Sequence, residues 1–575
     1  MPKLSPTPSA AAYWSNAERS RFACQLEPST VRPGDVPDAQ RVLELEMEAV
    51  GQVMSSLRAR YNSLAFINRL PQEILALIFL SLRDTYARLF SSFPLIYGSR
   101  SPPDAIEWVA ITHVCRKWRT TAIELPSLWT HIPNSFSTTC AEEFLRRSRL
   151  TPIKLEHSMV SPVSTGDLAG HISQHLRHVR ALHLSGPPQH FTEIIPTLCS
   201  PAPLLEKLRL NNRSGAAINT STIAPSLPSN VFGGITPRLR KVCIVGWGIP
   251  WASLRFETLV SLEISQHSSL NVTYGDFPTI LGALSRMPSL KFLTLSDVFP
   301  SVADALTPNS VCGPLISLPN LQRFSLFDDI RNCGLALHHI SLPASAERNI
   351  FCSKPNQGIE FLLSWLSAYT PPSPIYTLYV EEVYGRNVII TAYARNDTDR
   401  YKIGKSLLHI SLRDLWHEAT APQAQATALC SALPLGNLKS LDVWYEGSST
   451  LDWPTVFSGN NSLRRVSMGF DPKIELDELT ATILQPALAE ETSTGPPFPS
   501  LRLLNLYKIR VGHESEEHVR FRQWLQRWGP CRDVKISSCC VDEVLMDELE
   551  DHGFMVSWDG EDYESSHEDF DEVSE

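Results

Sequence analysis

The residues most able to do chemistry are the histidines, the cysteines and one Gly-Lys-Ser run. Gly404-Lys405-Ser406 has the ending of a phosphate-binding loop, but that loop needs an earlier glycine where Asp399 stands. His513-Glu514 and His518 spell H-E-x-x-x-H, one residue too long for a zinc helix, which needs its histidines one turn apart. His171, His175 and His178 do share a helical face, and two histidines one turn apart can hold a metal. With no third ligand in the sequence, a solvated helix face is the simpler expectation. Cys115, set among apolar residues beside Arg116, reads as a mid-helix core thiol rather than a nucleophile. No G-x-S-x-G elbow occurs. The 12 cysteines form no C-x-x-C pair and are too sparse for a disulfide scaffold, so free thiols in a reducing compartment are expected. Of the adjacent Cys539 and Cys540, one should be buried and one should face out on a strand. Neither an enzyme nor a cofactor or metal is indicated.

Composition points the same way. Over 575 residues, 43% are hydrophobic and 19% charged, which suits a soluble globular protein and is too apolar for a disordered one. The net charge of -10 is local. Val541 to Glu575 carries 15 acidic and no basic residues, leaving the body at about +5, too weak for a nucleic-acid signal. The start MPKLSPTPSAAAYWSNAERSR has no apolar core and is not a signal peptide. The longest apolar run, Ile74 to Leu82, is half of the ~20 residues a bilayer demands. A soluble protein of cytoplasm or nucleus is expected, with no membrane or nucleic-acid partner.

The elements that would position any site follow from periodicity. Residues 1–34, rich in Ser, Pro and Ala, read as a flexible leader. Residues 35–66 read as an amphipathic helix with a heptad stripe of Leu43, Met47, Val50, Met54, Leu57, Tyr61 and Leu64. That stripe either docks on the chain's own domain or joins two copies as a homodimer through 43–64. Next, NRLPQEILALIFLSL predicts a helix opening at Pro71, with Ile74, Leu75, Ile78, Phe79 and Leu82 on a broad apolar face. Arg83 to Ala105 reads as a loop. IEWVAITHVCRKWRTTAIE reads as a second helix ended by Pro126, followed by Leu128 and Trp129.

From about residue 175 a frame of the form L-x-x-L-x-L recurs, as in Leu205-Leu208-Leu210, Leu290-Leu293-Leu295, Leu438-Leu441-Val443 and Leu501-Leu504-Leu506. A turn residue precedes the first Leu and a long polar residue usually follows it, as in TPRLRKVCI, MPSLKFLTL and LGNLKSLDV. Alternation makes each a short strand with one buried face. One unit cannot bury its apolar face alone, so a parallel stack of strand-plus-helix units is expected over 133–540, with an acidic tail over 541–575. Between about 330 and 406 the frame is lost, and Tyr376 to Val380 with Asn387 to Tyr393 suggest a hairpin or insertion.

The ordered set Leu70-Pro71-x-Glu73-Ile74-Leu75-x-x-Ile78-Phe79, then Val114-Cys115-Arg116-x-Trp118-Arg119, then Leu128-Trp129, resembles the F-box-like domain of fungal proteins, over residues 67–132. The downstream frames loosely resemble leucine-rich repeats. They lack the asparagine usual three residues after the last Leu, where Arg213 and Ile509 stand, so an irregular solenoid is implied. The fold expected is α+β: an N-terminal helical F-box-like domain with a preceding long helix, then an irregular α/β leucine-rich-repeat-like solenoid. The resemblance implies a substrate-recognition subunit of an SCF-type cullin ubiquitin ligase. It would bind a Skp-type adaptor, and so the cullin scaffold, through Leu70, Pro71, Ile74, Leu75, Ile78, Phe79, Val114, Trp118, Leu128 and Trp129. A protein substrate would meet the concave strand face, where Lys207, Arg209, Phe292, Thr294, Phe327, Asp442, Trp444, Asn505 and Tyr507 alternate with the buried positions. The alternative is a repeat-based interaction scaffold with no ubiquitin role. The segment 83–105, long for an F-box, could shield part of the adaptor surface.

Overall fold

A computed structural model of the chain describes residues 9–22, 31–92, 107–132, 138–158, 165–213, 224–266, 275–300, 314–353, 358–383, 387–395, 405–413, 422–445, 456–457, 460–475, 498–511, 515–528, 530–541 and 543–560. Two compact units result, Met1–Thr130 with Ser135–Thr151, and His131–Asn134 with Pro152–Glu575.

The first unit is helical. Helix α1 spans Ala10–Phe22, α2 Val36–Ser63, α3 Gln72–Ser92, α4 Arg116–Glu124 and α5 Thr138–Ser148. Four features differ from the sequence expectation. The leader contains α1, because an alanine-rich run favours helix and Ser9 accepts the Ala12 amide at its start (3.2 Å). Helix α3 continues through Arg83 to Ser92, the last residue described there; the remainder of the expected 83–105 loop lies outside the described residues. The second helix is broken. A 3-10 helix covers Glu107–His113, Cys115 is fully extended at φ -158° and ψ 168°, and only then does α4 begin. Thr112 and Val114 are β-branched and resist helix, so the break falls beside them. The unit also runs past residue 132, because Phe144 of α5 packs edge-on against Trp129 (4.9 Å) and Trp108 (5.9 Å).

The second unit is built on strands. In chain order β1 is His131–Ile132, β2 Ile153–Ser158, β3 Val179–Gly186, β4 Lys207–Asn212, β5 Lys241–Val245, β6 Ser261–Ser265 and β7 Phe292–Ser296. Then come β8 Ile316–Ser317, β9 Arg323–Asp329, β10 Ile340–Ser341, β11 Glu347–Ser353, β12 Thr377–Val383, β13 Asn387–Tyr393 and β14 Leu408–Leu412. The last are β15 Ser440–Tyr445, β16 Arg465–Glu475, β17 Leu503–Arg510, β18 Asp533–Ser537 and β19 Met555–Trp558. Strands β1 to β7, then β9 and β11, pair in parallel, each with its predecessor. Strands β15 to β19 do the same. Among the described residues seventeen strands make this sheet, and β8 pairs with β10 separately.

Each Leu frame has its reason in this ladder. Leu205, Leu208 and Leu210 are buried, as are the matching residues of the other frames quoted above. The entering turn is closed by a backbone bond three residues long, for example Leu290 N to Met287 O (3.2 Å), Leu321 N to Leu318 O (3.2 Å) and Leu501 N to Phe498 O (3.2 Å). Proline fills the second place of those turns, where its fixed φ fits. The residue opening each turn (Met287, Leu318, Phe498) is buried too, an apolar position the frame did not include. The missing asparagine is partly replaced one position earlier. Buried Asn212 donates to Gly246 O (2.8 Å), and buried Gln266 donates to Trp247 O (2.7 Å).

The suspected interruption is a hairpin. Strands β12 and β13 are antiparallel, as are β13 and β14, while β14 joins β11 and β12 joins β15 in parallel. The meander therefore sits reversed within the ladder, in the order β11-β14-β13-β12-β15. Beside it run helices α6 Thr165–His175, α7 Phe277–Ser285, α8 Ile330–His339, α9 Ile359–Ser367 and α10 Pro422–Ala432. Helices α11 Ser515–Trp528 and α12 Glu543–Asp551 follow. Leu545, Met546 and Leu549 of α12 are buried, so residues 543–558 belong to the ladder unit rather than to an acidic tail. Residues 561–575 lie outside the described ones. No described helix is long and apolar enough to cross a membrane.

Candidate functional site

In the helical unit the structure sorts residues that periodicity left on one face. Leu75 and Phe79 are 0% exposed, whereas Ile74 and Ile78, their neighbours on α3, are 42% and 40% exposed. Leu128 and Trp129 are also buried. Trp129 donates to Ala122 O (2.7 Å), the Arg147 guanidinium lies 4.2 Å above its ring, and Arg83 donates to Ser127 O. The closing pair thus holds the unit together from inside. Leu70 and Trp118 are half-buried. Trp118 donates to Asn68 Oδ1 (2.7 Å) and tilts against Phe79 (5.2 Å), while Lys117 donates to the Asn68 and Leu70 carbonyls (2.6 and 3.0 Å). Pro71, Ile74, Ile78 and Val114 remain exposed, Val114 at 56%. Of the ten residues named from the resemblance, these four are the exposed ones. Leu75, Phe79, Leu128 and Trp129 are committed to the core.

On the ladder, side chains alternate between a buried face and an open one. On the face opposite the Leu frames, register carries one row across eight strands: Phe327, Phe351, Ser411, Ile389, Glu381, Trp444, Gly469 and Tyr507, all half-buried except Ser411 and Gly469, which are buried. At ~4.8 Å per strand, it is about 34 Å long. Phe327 stacks flat on Phe351 (4.1 Å, 1°), with His409 at 5.1 Å and the Arg413 guanidinium at 5.2 Å from the Phe351 ring. At the other end Trp444 lies over Gly469, 6.3 Å from Tyr507 and 5.9 Å from the Lys508 ammonium. Any Cβ on residue 469 would meet the indole at 2.0 Å, so only glycine lets the ring lie there.

Phe327, Trp444 and Tyr507, named from the frame, fall in this row. Thr294, Asp442 and Arg209 fall in the neighbouring row, and Phe292 and Lys207 in the one beyond. Asn505 does not present itself: it is buried, 3.1 Å from Ser467 Oγ and, with its oxygen toward Arg465, accepts from that guanidinium at 3.1 and 3.2 Å. A buried amide must be hydrogen-bonded, and its neighbours on the face supply the bonds. Phe351, His409, Arg413 and Lys508 were not found from sequence: β11 lacks the frame, and Arg413 and Lys508 lie past the last apolar positions of theirs, Leu412 and Leu506. Gly469 had a signal, because glycine inside a strand marks close approach of another group.

The ladder begins with a polar cluster. Glu156 accepts from His131 Nε2 (2.8 Å), His183 Nδ1 (2.9 Å) and Lys154 Nζ (2.7 Å). Burial alone would raise its pKa, but the bonds from His131, His183 and Lys154 outweigh that and hold the carboxyl well below the usual carboxylate range. Asp328 is the opposite case. Burial pushes it up to about 6, although Asn332 Nδ2 (2.7 Å) and the Asp329 and Phe299 amides (2.8 and 3.2 Å) all donate to it.

The chemical candidates are placed as follows. Lys405 donates to Ser345 O (3.0 Å), whereas Asp399 and Gly404 lie outside the described residues, as do His513 and Glu514. His175 and His178 meet edge-on at 5.0 Å, half-buried rather than solvated, and burial lowers both pKa values. Among the described residues no group of three or more His, Cys, Asp or Glu is arranged to hold a metal. Cys115 opens α4 rather than sitting mid-helix. The described cysteines are free thiols, with Cys539 buried and Cys540 half-buried just past the end of β18. The chain matches no protein-family model and no curated protein.

Proposed function

We propose that this chain is the substrate-receptor subunit of an SCF-type cullin ubiquitin ligase, with no catalysis of its own. The observation that carries the reading is the division of α3. Two isoleucines one turn apart stay exposed while the adjacent Leu75 and Phe79 anchor the core. Full burial of an exposed isoleucine is worth ~1.5–3 kcal/mol, so leaving 42% and 40% of these two outside forgoes ~0.6–1.3 kcal/mol each. Leaving both outside, with Val114 exposed on the same unit, suits an apolar docking surface for a Skp-type adaptor. Leu70 and Trp118 would border it. In the second unit the near-sequential parallel order and the recurring Leu turns support a leucine-rich-repeat-like solenoid interrupted by the β12–β14 meander. Its open face, with the Phe327–Phe351 and Trp444–Tyr507 aromatics, would receive a protein substrate, since half-buried aromatics beside Arg and Lys suit protein partners. Cytoplasm or nucleus is the compartment this role requires.

The test is a titration of the purified full chain with a purified Skp-type adaptor. The wild type should bind. Ile74→Asp with Ile78→Asp and Val114→Asp should abolish binding while leaving circular dichroism and thermal unfolding unchanged. A wild-type chain that never binds the adaptor overturns the reading. Trp118 is a poor probe, because its bond to Asn68 and contact with Phe79 tie it to the fold.

A further inference from the structure

Helix α2 has no buried residue. Its polar side makes the contacts to the rest of its unit: Ser55 Oγ accepts from Arg116 (3.0 Å), and the Asn62 carbonyl accepts from Asn68 (2.7 Å). Ser55 and Asn62 are one heptad apart and turn away from the apolar stripe, which is left outside. Met47 is 66% exposed and Tyr61 78%, and Leu43, Val50, Met54 and Leu57 are exposed as well. The chain's own domain therefore does not cover this seam among the described residues.

The charges flanking the seam indicate what does. The spacing puts Met47, Val50, Met54 and Leu57 at alternating a and d positions. Glu44 and Arg58 are then both e positions, and Glu46 and Arg60 both g positions. Acid lies in the first half of the helix and base in the second. Two copies side by side in the same direction would set Glu46 beside Gly51 and Arg58 beside Val53, pairing no charges. Two copies in opposite directions set Glu44 beside Arg58 of the second copy, and Glu46 beside Arg60. The same antiparallel register seats the whole seam, because Leu43 faces Tyr61, Met47 faces Leu57 and Val50 faces Met54, all symmetric about residue 52. Gly51 then meets Gly51 of the other copy near the twofold axis. Nothing lies within 4 Å of a Cβ built on it in the single chain, and the missing side chain lets the two helices approach. Arg21 already donates to Glu46 Oε1 (2.6 Å) from α1, which leaves Oε2 for the second copy.

We propose that the protein forms a homodimer through an antiparallel pairing of α2 centred on residue 52. The pairing uses none of the residues assigned to adaptor or substrate, so it stands or falls separately from them.

Sedimentation equilibrium of the full chain tests it, with charge variants and engineered cysteines. The wild type sediments as a dimer. Glu44→Arg with Glu46→Arg weakens the dimer by about 10- to 100-fold, as four attractive contacts become repulsive. Adding Arg58→Glu and Arg60→Glu to the same chain restores it, since complementarity returns only if the helices run in opposite directions. Mixed Met47→Cys and Leu57→Cys proteins form a disulfide between those two positions, identified by peptide mass. Met47→Cys alone does not, because the two copies of residue 47 lie ~15 Å apart along the axis. A monomer at every concentration, a dimer indifferent to the charge reversal, or a disulfide in Met47→Cys alone overturns the proposal.

Discussion

Gly469→Ala is the sharpest perturbation available on the open face of the ladder. A Cβ there would sit 2.0 Å from Trp444 Cε3 and 2.1 Å from Cζ3. Ordinary carbon contacts begin near 3.5 Å, so the indole must withdraw by more than ~1 Å. Withdrawal disturbs the contacts with Tyr507 at 6.3 Å and Lys508 at 5.9 Å. Overpacking of this kind costs ~1–3 kcal/mol. Alanine recovers ~0.5–1 kcal/mol of the conformational entropy that glycine loses in a strand. The net is a destabilisation of about 1–2 kcal/mol, confined to the strands around β16. Hydrogen exchange of amides in β15, β16 and β17 reads that local stability directly. Protection there should fall by about 5- to 30-fold while β4 to β7 are unchanged. In a Trp444→Ala background the same substitution should become neutral or stabilising, a coupling that a double-mutant cycle isolates. Equal or greater protection in Gly469→Ala, or the same loss with and without Trp444, would refute the reasoning.

Other expectations follow from the same geometry. Gly334→Ala on α8 would place a Cβ 2.5 Å from Phe361 Cβ and 2.7 Å from the Phe361 carbonyl carbon, so α9 must shift; unfolding should show a net loss of about 1–3 kcal/mol despite alanine's better helix propensity. Asp328 holds its proton more tightly folded than unfolded, with a pKa of about 6 against 3.8. Its contribution is therefore favourable below pH ~4 and lost as pH rises through about 6. Measured by urea unfolding, Asp328→Asn should gain up to ~3 kcal/mol relative to wild type between pH 4 and pH 7; a pH-independent difference would contradict the assignment. Phe79→Ala should cost about 3–5 kcal/mol, whereas Ile78→Ala on the same helix should cost under ~1 kcal/mol, both read from thermal unfolding of the helical unit.

Legibility from sequence followed burial. Periodicity located α2 and the start of α3, because both depend on repeated local spacing. The Leu frames located strands β4, β7, β15 and β17, because the interior of a parallel stack is uniform and asks for the same residue types in each layer. The loss of that frame also marked the β12–β13 hairpin. Where the interior departs from uniformity, sequence was blind. Arg348 stands at a strand position that the neighbouring strand fills with Phe324, and it is buried by donating to the Pro343, Ala344 and Ala346 carbonyls (2.9, 3.2 and 2.7 Å). No pattern of apolar residues announces such a site, since its partners are backbone groups.

The segment over 67–132 shows the same boundary. Sequence by itself determined the ordered set from Leu70-Pro71 to Leu128-Trp129 and the apolar character of its helices, since type and spacing are properties of the chain. Tertiary structure alone decided that Leu75, Phe79, Leu128 and Trp129 face inward and that Ile74, Ile78 and Val114 face out. It also broke the second helix at Cys115 and carried α3 on to Ser92. The physical reason is that an apolar stripe broader than one contact can be turned toward either side. Which residues reach the core depends on where Trp108, Phe144 and Trp118 arrive from elsewhere in the chain.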